Sequence, residues 1–296
     1  MVALARYDTD NPSHVQALLE MKTRPEVAEA LPRQTTYASM AALRCGLMPV
    51  EAYPDVLVPQ DTYKEVIEYC HTHKIFPMYH QRDTWAPEGF RSYQNGLGYC
   101  WTWSGTSWVL TIRAMEDKPA VMLSPVAQGK WVNWRNSGWY LDSFIDKARS
   151  EGICPLPQGV DFNSTNRSAS FWAQYDSQRK FYRLDSVWDC NNANVTIMWQ
   201  HALSCLCYGC PLYIAYIWWG HALMCVGVRW EEGAYMNLVP IIQNSHGETT
   251  WIELTGSKSV FSEAYGGVST VPVELASGSR FARSPGGLYV PAWAAT

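Results

Sequence analysis

In the stretch Gln94-Asn95-Gly96-Leu97-Gly98-Tyr99-Cys100-Trp101, an amide side chain stands six positions before a cysteine, across a glycine-rich turn. From Cys100 onward the pattern changes. Trp101, Trp103, Trp108, Val109, Leu110 and Ile112 form an apolar helical pattern, which predicts a helix that begins at the cysteine itself. A helix N-terminus favours negative charge and so lowers a thiol pKa. A thiolate that attacks a carbonyl leaves charge on the oxygen, which the Gln94 carboxamide and the backbone N–H of Cys100 are placed to hold. Taken alone, a cysteine among tryptophans is more often a small core hydrophobe.

A cysteine nucleophile needs a base, and Gly220-His221-Ala222-Leu223-Met224-Cys225-Val226 offers one at the head of an apolar strand pattern. His221 lies 121 residues after Cys100, so only a two-part fold with its site between the halves brings the two together. Such a base needs an orienting group. Asn244, in Ile242-Gln243-Asn244-Ser245-His246-Gly247, is the candidate. Alone, His221 reads as a hydrogen-bonded core histidine and Asn244-Ser245 as a turn. The joint order of Gln94, Cys100, His221 and Asn244 carries the inference.

Together these residues resemble the papain-like cysteine peptidase family, whose blocks run Gln … Gly-x-Cys-Gly-Ser-Cys-Trp-Ala-Phe-Ser, then His-Ala-Val-x-x-Val-Gly, then Asn-Ser-Trp-Gly. Gln94, Gly98, Cys100, Trp101 and Ser104 match the first, with Leu97 at a disulfide cysteine's place and Tyr99 replacing a small residue beside the approach to the site. Asn136-Ser137-Gly138-Trp139 is similar to the family's Gly-Gly substrate wall, with Gly138 as the second glycine and Ser137 in place of the first. The resemblance implies an α+β, papain-like two-lobed fold, with a helical lobe over about 98–155 and a barrel lobe from about 76–95 and 195–276. It implies Cys100 as nucleophile, His221 as proton carrier, Asn244 as orienter, Gln94 as oxyanion donor, and Ser137 and Gly138 as substrate-binding backbone, with no cofactor. One departure bears on the site. Where the family has a Trp that shields the Asn–His pair, this chain has His246, which either stacks there or competes for the thiolate or for Asn244.

The rest of the chain adds bounds. Residues 1–75 read as a helical N-terminal extension, with helices at Pro12–Met21, Pro25–Ala30, Thr35–Arg44 and Asp61–His73, the last capped by Asp61; the family's familiar prosegment pattern is absent. Asn163–Asn192 is polar, aromatic-studded and unassigned. Residues 277–296, rich in Gly and Pro around Leu288, Tyr289 and Trp293, form a tail that folds back on its own domain or docks on an assembly partner. Nine cysteines and the loss of the familiar disulfide predict free thiols and a reducing compartment. With no signal-peptide pattern and no apolar stretch of spanning length, the expectation is a cytoplasmic or virion-associated protein without membrane contact. A net charge of −4 gives no reason to expect nucleic acid. His201, Cys205, Cys207 and Cys210 carry soft-ligand chemistry, but structural zinc sites draw ligand pairs from separate segments, so these read as buried side chains and no metal is expected.

Two function classes follow: a cysteine endopeptidase acting on a peptide or protein substrate, and a non-enzymatic structural or interaction protein on a papain-like scaffold. The N-terminal extension, missing disulfide, fifteen tryptophans and tail of this chain are similar in character to papain-like proteins of tailed phages, which makes a phage virion component the example of the second class. Amidases of the cell wall place Cys and His closer together, which leaves a cell-wall hydrolase third.

Overall fold

A computed structural model describes residues 4–22, 57–87, 89–246 and 251–271. It opens on a strand, β1 (Ala5–Asp8), followed by α1 (Pro12–Lys22), then α2 (Tyr63–Thr72) and α3 (Pro77–Thr84). The cysteine begins α4 (Cys100–Met115), and α5 (Leu141–Ser150) packs beside it. The segment unassigned in sequence holds a short α6 (Ala169–Ala173) and β2 (Leu184–Asp189). After α7 (Val195–Cys207) come β3 (Leu212–Tyr216), β4 (His221–Trp230), β5 (Leu238–Gln243), β6 (Trp251–Thr255) and β7 (Glu263–Thr270). The class is α+β, as expected. Among the described residues no helix is long and apolar enough to cross a membrane.

All fourteen residues from Trp101 to Ala114 are buried. A helix apolar on every side has no solvent face and must be enclosed, and the sequence of α4 meets that condition with tryptophans at 101, 103 and 108. Some of its polar side chains find partners instead of water: Thr111 Oγ1 donates to the Ser107 carbonyl at 2.8 Å, and Trp108 Nε1 to that of Pro211 at 2.8 Å. Enclosure demands close approach. A Cβ on Gly105 would lie 2.4 Å from the Phe144 ring of α5, and one on Gly267 of β7 would lie 2.4 Å from Ile112 Cδ1.

The strands form one seven-stranded sheet in the order β1-β6-β5-β4-β3-β7-β2. Only β1 and β6 pair in parallel, with Ala5 opposite Ile252 and Asp8 opposite Thr255. β4 lies at the centre with β3 and β5 antiparallel on either side, so the start of β4 lies beside the end of β5. Met224 lies opposite Gln243, so His221 is near the turn that follows β5.

Two sequence expectations change. Ala5–Asp8 is a strand of the sheet, so the N-terminal 75 residues are not uniformly helical. The segment 76–95 contributes α3, whose Gln81 bonds Gln243 of β5 and Trp251 of β6. Asp61 does not cap a long helix: it sits inside a 3-10 turn, Gln60–Thr62, and α2 starts at Tyr63 with no side-chain cap. The helices expected at Pro25–Ala30 and Thr35–Arg44, and the tail at 277–296, lie outside the described residues.

Candidate active site

Cys100 is the first residue of α4, where the helix's leading N–H groups lack intrahelical partners and favour negative charge. It is half-buried, whereas Cys70, Cys154, Cys190, Cys205, Cys207, Cys210 and Cys225 are fully buried; all eight described cysteines are free thiols. The turn before it is held from both sides. The Leu97 N–H donates to the Gln94 carbonyl at 3.0 Å, and the Gly98 N–H donates to Asn136 Oδ1 at 2.5 Å. Tyr99 does not crowd the approach. Its side chain is fully buried, 5.7 Å from the Trp101 ring, in space that Gly129 leaves by having no Cβ.

One turn into α4, Ser104 Oγ donates to the Ala222 carbonyl at 2.7 Å. Ala222 follows His221, and a helical turn rises about 5.4 Å, so this bond fastens the cysteine end of the helix to the histidine end of β4. A second link runs from Tyr213 Oη of β3 to the Trp101 carbonyl at 2.8 Å. Burial pushes the Tyr213 phenol well above its ordinary pKa, and the neighbouring Cys100 charge pushes it in the same direction.

His221 is buried, and its Nε2 lies 3.0 Å from Asn244 Oδ1. An amide oxygen only accepts, so in this pairing Nε2 carries the hydrogen. Asn244 is itself fixed: its Oδ1 also accepts from the His246 N–H at 3.2 Å, and its Nδ2 donates to the His246 carbonyl at 3.3 Å. Upstream, Gln81 of α3 bonds the Gln243 side chain and accepts from Trp251 Nε1 at 3.3 Å, tying the end of β5 to the start of β6.

His246 stacks. Its ring centroid lies 4.1 Å from that of His221 at 36°, while Trp219 meets His221 edge-on at 4.8 Å. The imidazole therefore has two aromatic neighbours, and His246 is itself buried.

Gln94 is also buried and oriented. Ser245 Oγ donates to its Oε1 at 2.8 Å, its N–H donates to the Ser245 carbonyl at 3.0 Å, and its Nε2 donates one hydrogen to the Leu97 carbonyl. A carboxamide has two N–H donors, so one remains for a ligand. Ser245 is a positioning residue that residue-by-residue reading passed over, although it stood inside the Asn244-Ser245 block. Ser137 and Gly138 are half-buried in the neighbouring segment, where the Ser137 carbonyl accepts from Trp101 Nε1 at 3.1 Å. The structure thus links Gln94 to Asn244 through Ser245, and Ser137 to the cysteine helix through Trp101.

The cysteine-rich end of α7 is separate. Cys190 and Cys205 sulfurs are 3.4 Å apart in the core, and burial drives the Cys205 and Cys207 thiols far above their ordinary pKa. Neutral thiols are poor metal ligands, and among the described residues no group of His, Cys, Asp and Glu is arranged to hold an ion.

Searched against family profiles and curated proteins, the sequence matches none. Solved structures similar to it are cysteine proteases of the papain-like kind. Digestive procathepsin L 3 of Tenebrio molitor shares 15% identity over 62% of this chain and 67% of its own, with a TM-score of 0.44. Xylellain, a cysteine protease from Xylella fastidiosa, shares 16% over 62% and 83%, with a TM-score of 0.43. The ragweed pollen allergen Amb a 11, a cysteine protease in its proform, shares 10% over 89% and 97%, with a TM-score of 0.48.

Proposed function

We propose that the protein is a papain-like cysteine endopeptidase that hydrolyses peptide bonds of a peptide or protein substrate with Cys100, His221 and Asn244. The observation that carries this reading is the 3.0 Å bond from His221 Nε2 to Asn244, on a histidine fastened to the cysteine helix by Ser104 and Ala222. The Cys100 sulfur attacks the substrate carbonyl carbon, and the carbonyl electrons move to oxygen. That oxygen is held by the Cys100 N–H and the remaining N–H of Gln94. As the C–N bond breaks, His221 Nδ1 gives its proton to the leaving amine, and a thioester stays on Cys100. Water then attacks the thioester as Nδ1 takes its proton; the acid leaves and the Cys100 thiolate and His221 imidazolium are restored. The backbone at Ser137 and Gly138 supports an extended substrate by strand-like pairing.

The test compares wild type with Cys100→Ala in two assays, labelling by an epoxide that alkylates activated cysteines and cleavage of a peptide library. Wild type is expected to label at Cys100 alone and to cleave. Cys100→Ala should do neither while keeping its fold, at a stability cost of about 1 kcal/mol. Two indistinguishable proteins would move the reading to a non-enzymatic interaction role on the same scaffold.

A further inference from the structure

The last turn of α7 brings together two sulfurs that the proposed chemistry does not use. Cys205 lies on that turn, and its Sγ is 3.4 Å from the Sγ of Cys190, the residue that follows β2. Both side chains are fully buried. Cys190 is fixed through its backbone, whose N–H donates to the Ala264 carbonyl at 3.1 Å and which also bonds the His201 ring of α7. Cys205 is fixed by its surroundings: a Cβ on Gly266 of β7 would lie 2.7 Å from its sulfur. Trp188 of β2 meets Tyr208, just past the end of α7, edge-on at 6.0 Å and so holds the two elements together at this end. Cys207, two residues after Cys205, makes a hydrogen-bonding contact of its own with Cys70 of α2.

Bonded sulfurs stand about 2.0 Å apart, so the Cys190–Cys205 pair needs a further approach of about 1.4 Å. In the folded protein the pair is closed to reagents. The nucleophile of disulfide exchange is a thiolate, whereas burial holds the Cys205 thiol neutral, with the adjoining Cys190 acting in the same direction. Exchange therefore belongs to the folding chain, before β2 and α7 close over the sulfurs.

We propose that Cys190 and Cys205 form a covalent modification site, joined during folding by exchange with a small disulfide of the oxidised-glutathione class and then kept by the closed fold in whichever state it was made. The thiolate of one cysteine attacks a sulfur of the oxidant; a mixed disulfide forms and one small thiolate leaves. The thiolate of the other attacks the protein sulfur of that intermediate, the Cys190–Cys205 bond forms, and the second small thiolate leaves. The protein gives up two electrons and two protons, and the oxidant becomes two thiols. A chain folded in reducing conditions keeps both thiols, which is the state of the structure. β2 is an edge strand whose register against β7 shifts twice, so the bond ties an irregular edge to the helix behind it. The pair acts independently of the chemistry at Cys100.

Reduced, unfolded wild type is refolded in parallel in reduced glutathione and in a mixture rich in oxidised glutathione, then unfolded in an alkylating agent and digested with chymotrypsin, which cuts between the two cysteines at Trp199. Mass spectrometry is expected to find a Cys190–Cys205 cross-linked peptide in the second sample and both thiols alkylated in the first. Folded, reduced protein placed in the oxidising mixture should cross-link at least about tenfold more slowly than the refolding chain. Cys205 lies 15 residues after Cys190, and closing a loop of that length should raise the folding equilibrium constant about a hundredfold in urea unfolding. Cys190→Ala should erase the difference between the two preparations. Cys210, which also adjoins Cys190, is the competing partner, and Cys210→Ala should retain the difference. An oxidised sample with both thiols alkylated, or with Cys190 joined to Cys210, overturns the proposal, and equal rates in folded and refolding protein refute retention by the closed fold. If Cys190→Ala does not fold, the wild-type peptide map decides.

Discussion

Each side chain of the candidate site is held by a neighbour that a motif does not show. Asn244 is held by the backbone of His246, Gln94 by Ser245, and His221 by the rings of Trp219 and His246. The central four residues were legible because each stood at a recognisable local junction: a turn into an apolar helix, the head of an apolar strand, a turn after a strand. The supporting contacts were not, because stacking of His246 on His221 depends on a tertiary approach between β4 and the turn after β5 that no local pattern records. His246→Ala removes that ring contact and is expected to admit water to the Asn–His bond. We expect roughly a tenfold loss in kcat/KM and in the rate of Cys100 alkylation, with a stability cost of about 0.5–1.5 kcal/mol for the lost ring pair. His246→Trp should retain most of the rate. If His246→Ala reacts as fast as wild type, the ring does not shield the pair.

At the level of elements, α4, β4 and α7 were readable from periodicity because each is long and strongly apolar. β1 was not. Ala5-Arg6-Tyr7-Asp8 is four residues without clear alternation, and its partner β6 lies some 250 positions away, so its strand conformation comes from pairing alone. β2 was obscured for a related reason: its register against β7 shifts twice between Leu184 and Val187, which blurs the alternation a strand is read by. Where two elements meet, propensity and packing disagree usefully. Ala is the better helix former than Gly by about 1 kcal/mol, yet Gly105→Ala in α4 would place a methyl 2.4 Å from the Phe144 ring. Overpacking should win, and the variant is expected to lose about 1–3 kcal/mol in chemical denaturation. Phe144→Leu added to it should recover part of that loss; a Gly105→Ala protein more stable than wild type would refute the close approach.

For the whole molecule, buried thiols set the alkaline limit. Burial pushes Cys154 up to about 11 and Cys225 up to about 12. The folded state keeps these groups neutral, whereas the unfolded chain ionises them near the ordinary thiol value. Their contribution is therefore intact below that value and is lost as pH rises through it toward the folded pKa. Cys154 alone should cost roughly 2 kcal/mol between pH 9 and 11. Urea unfolding at pH 8, 9, 10 and 11 reads the slope, and Cys154→Ala should flatten it; an unchanged slope would show that other groups control the alkaline limb. At neutral pH, unfolded and unreduced protein should titrate at least the eight thiols free in the structure, and a count of one or two would contradict that state.

The N-terminal strand and helix reach the site by an indirect route. Leu18 of α1 is fully buried, and its carbonyl accepts from Trp219 Nε1 at 2.9 Å, while Trp219 is the ring edge-on to His221. β1 meanwhile closes one edge of the sheet against β6, and Arg6 reaches Glu231 beyond the end of β4. Cutting the chain after Lys22 and losing the piece would bare a sheet edge and release the tryptophan that flanks the imidazole. If the proposed peptidase reading holds, limited proteolysis at that end is expected to lower activity, not to raise it.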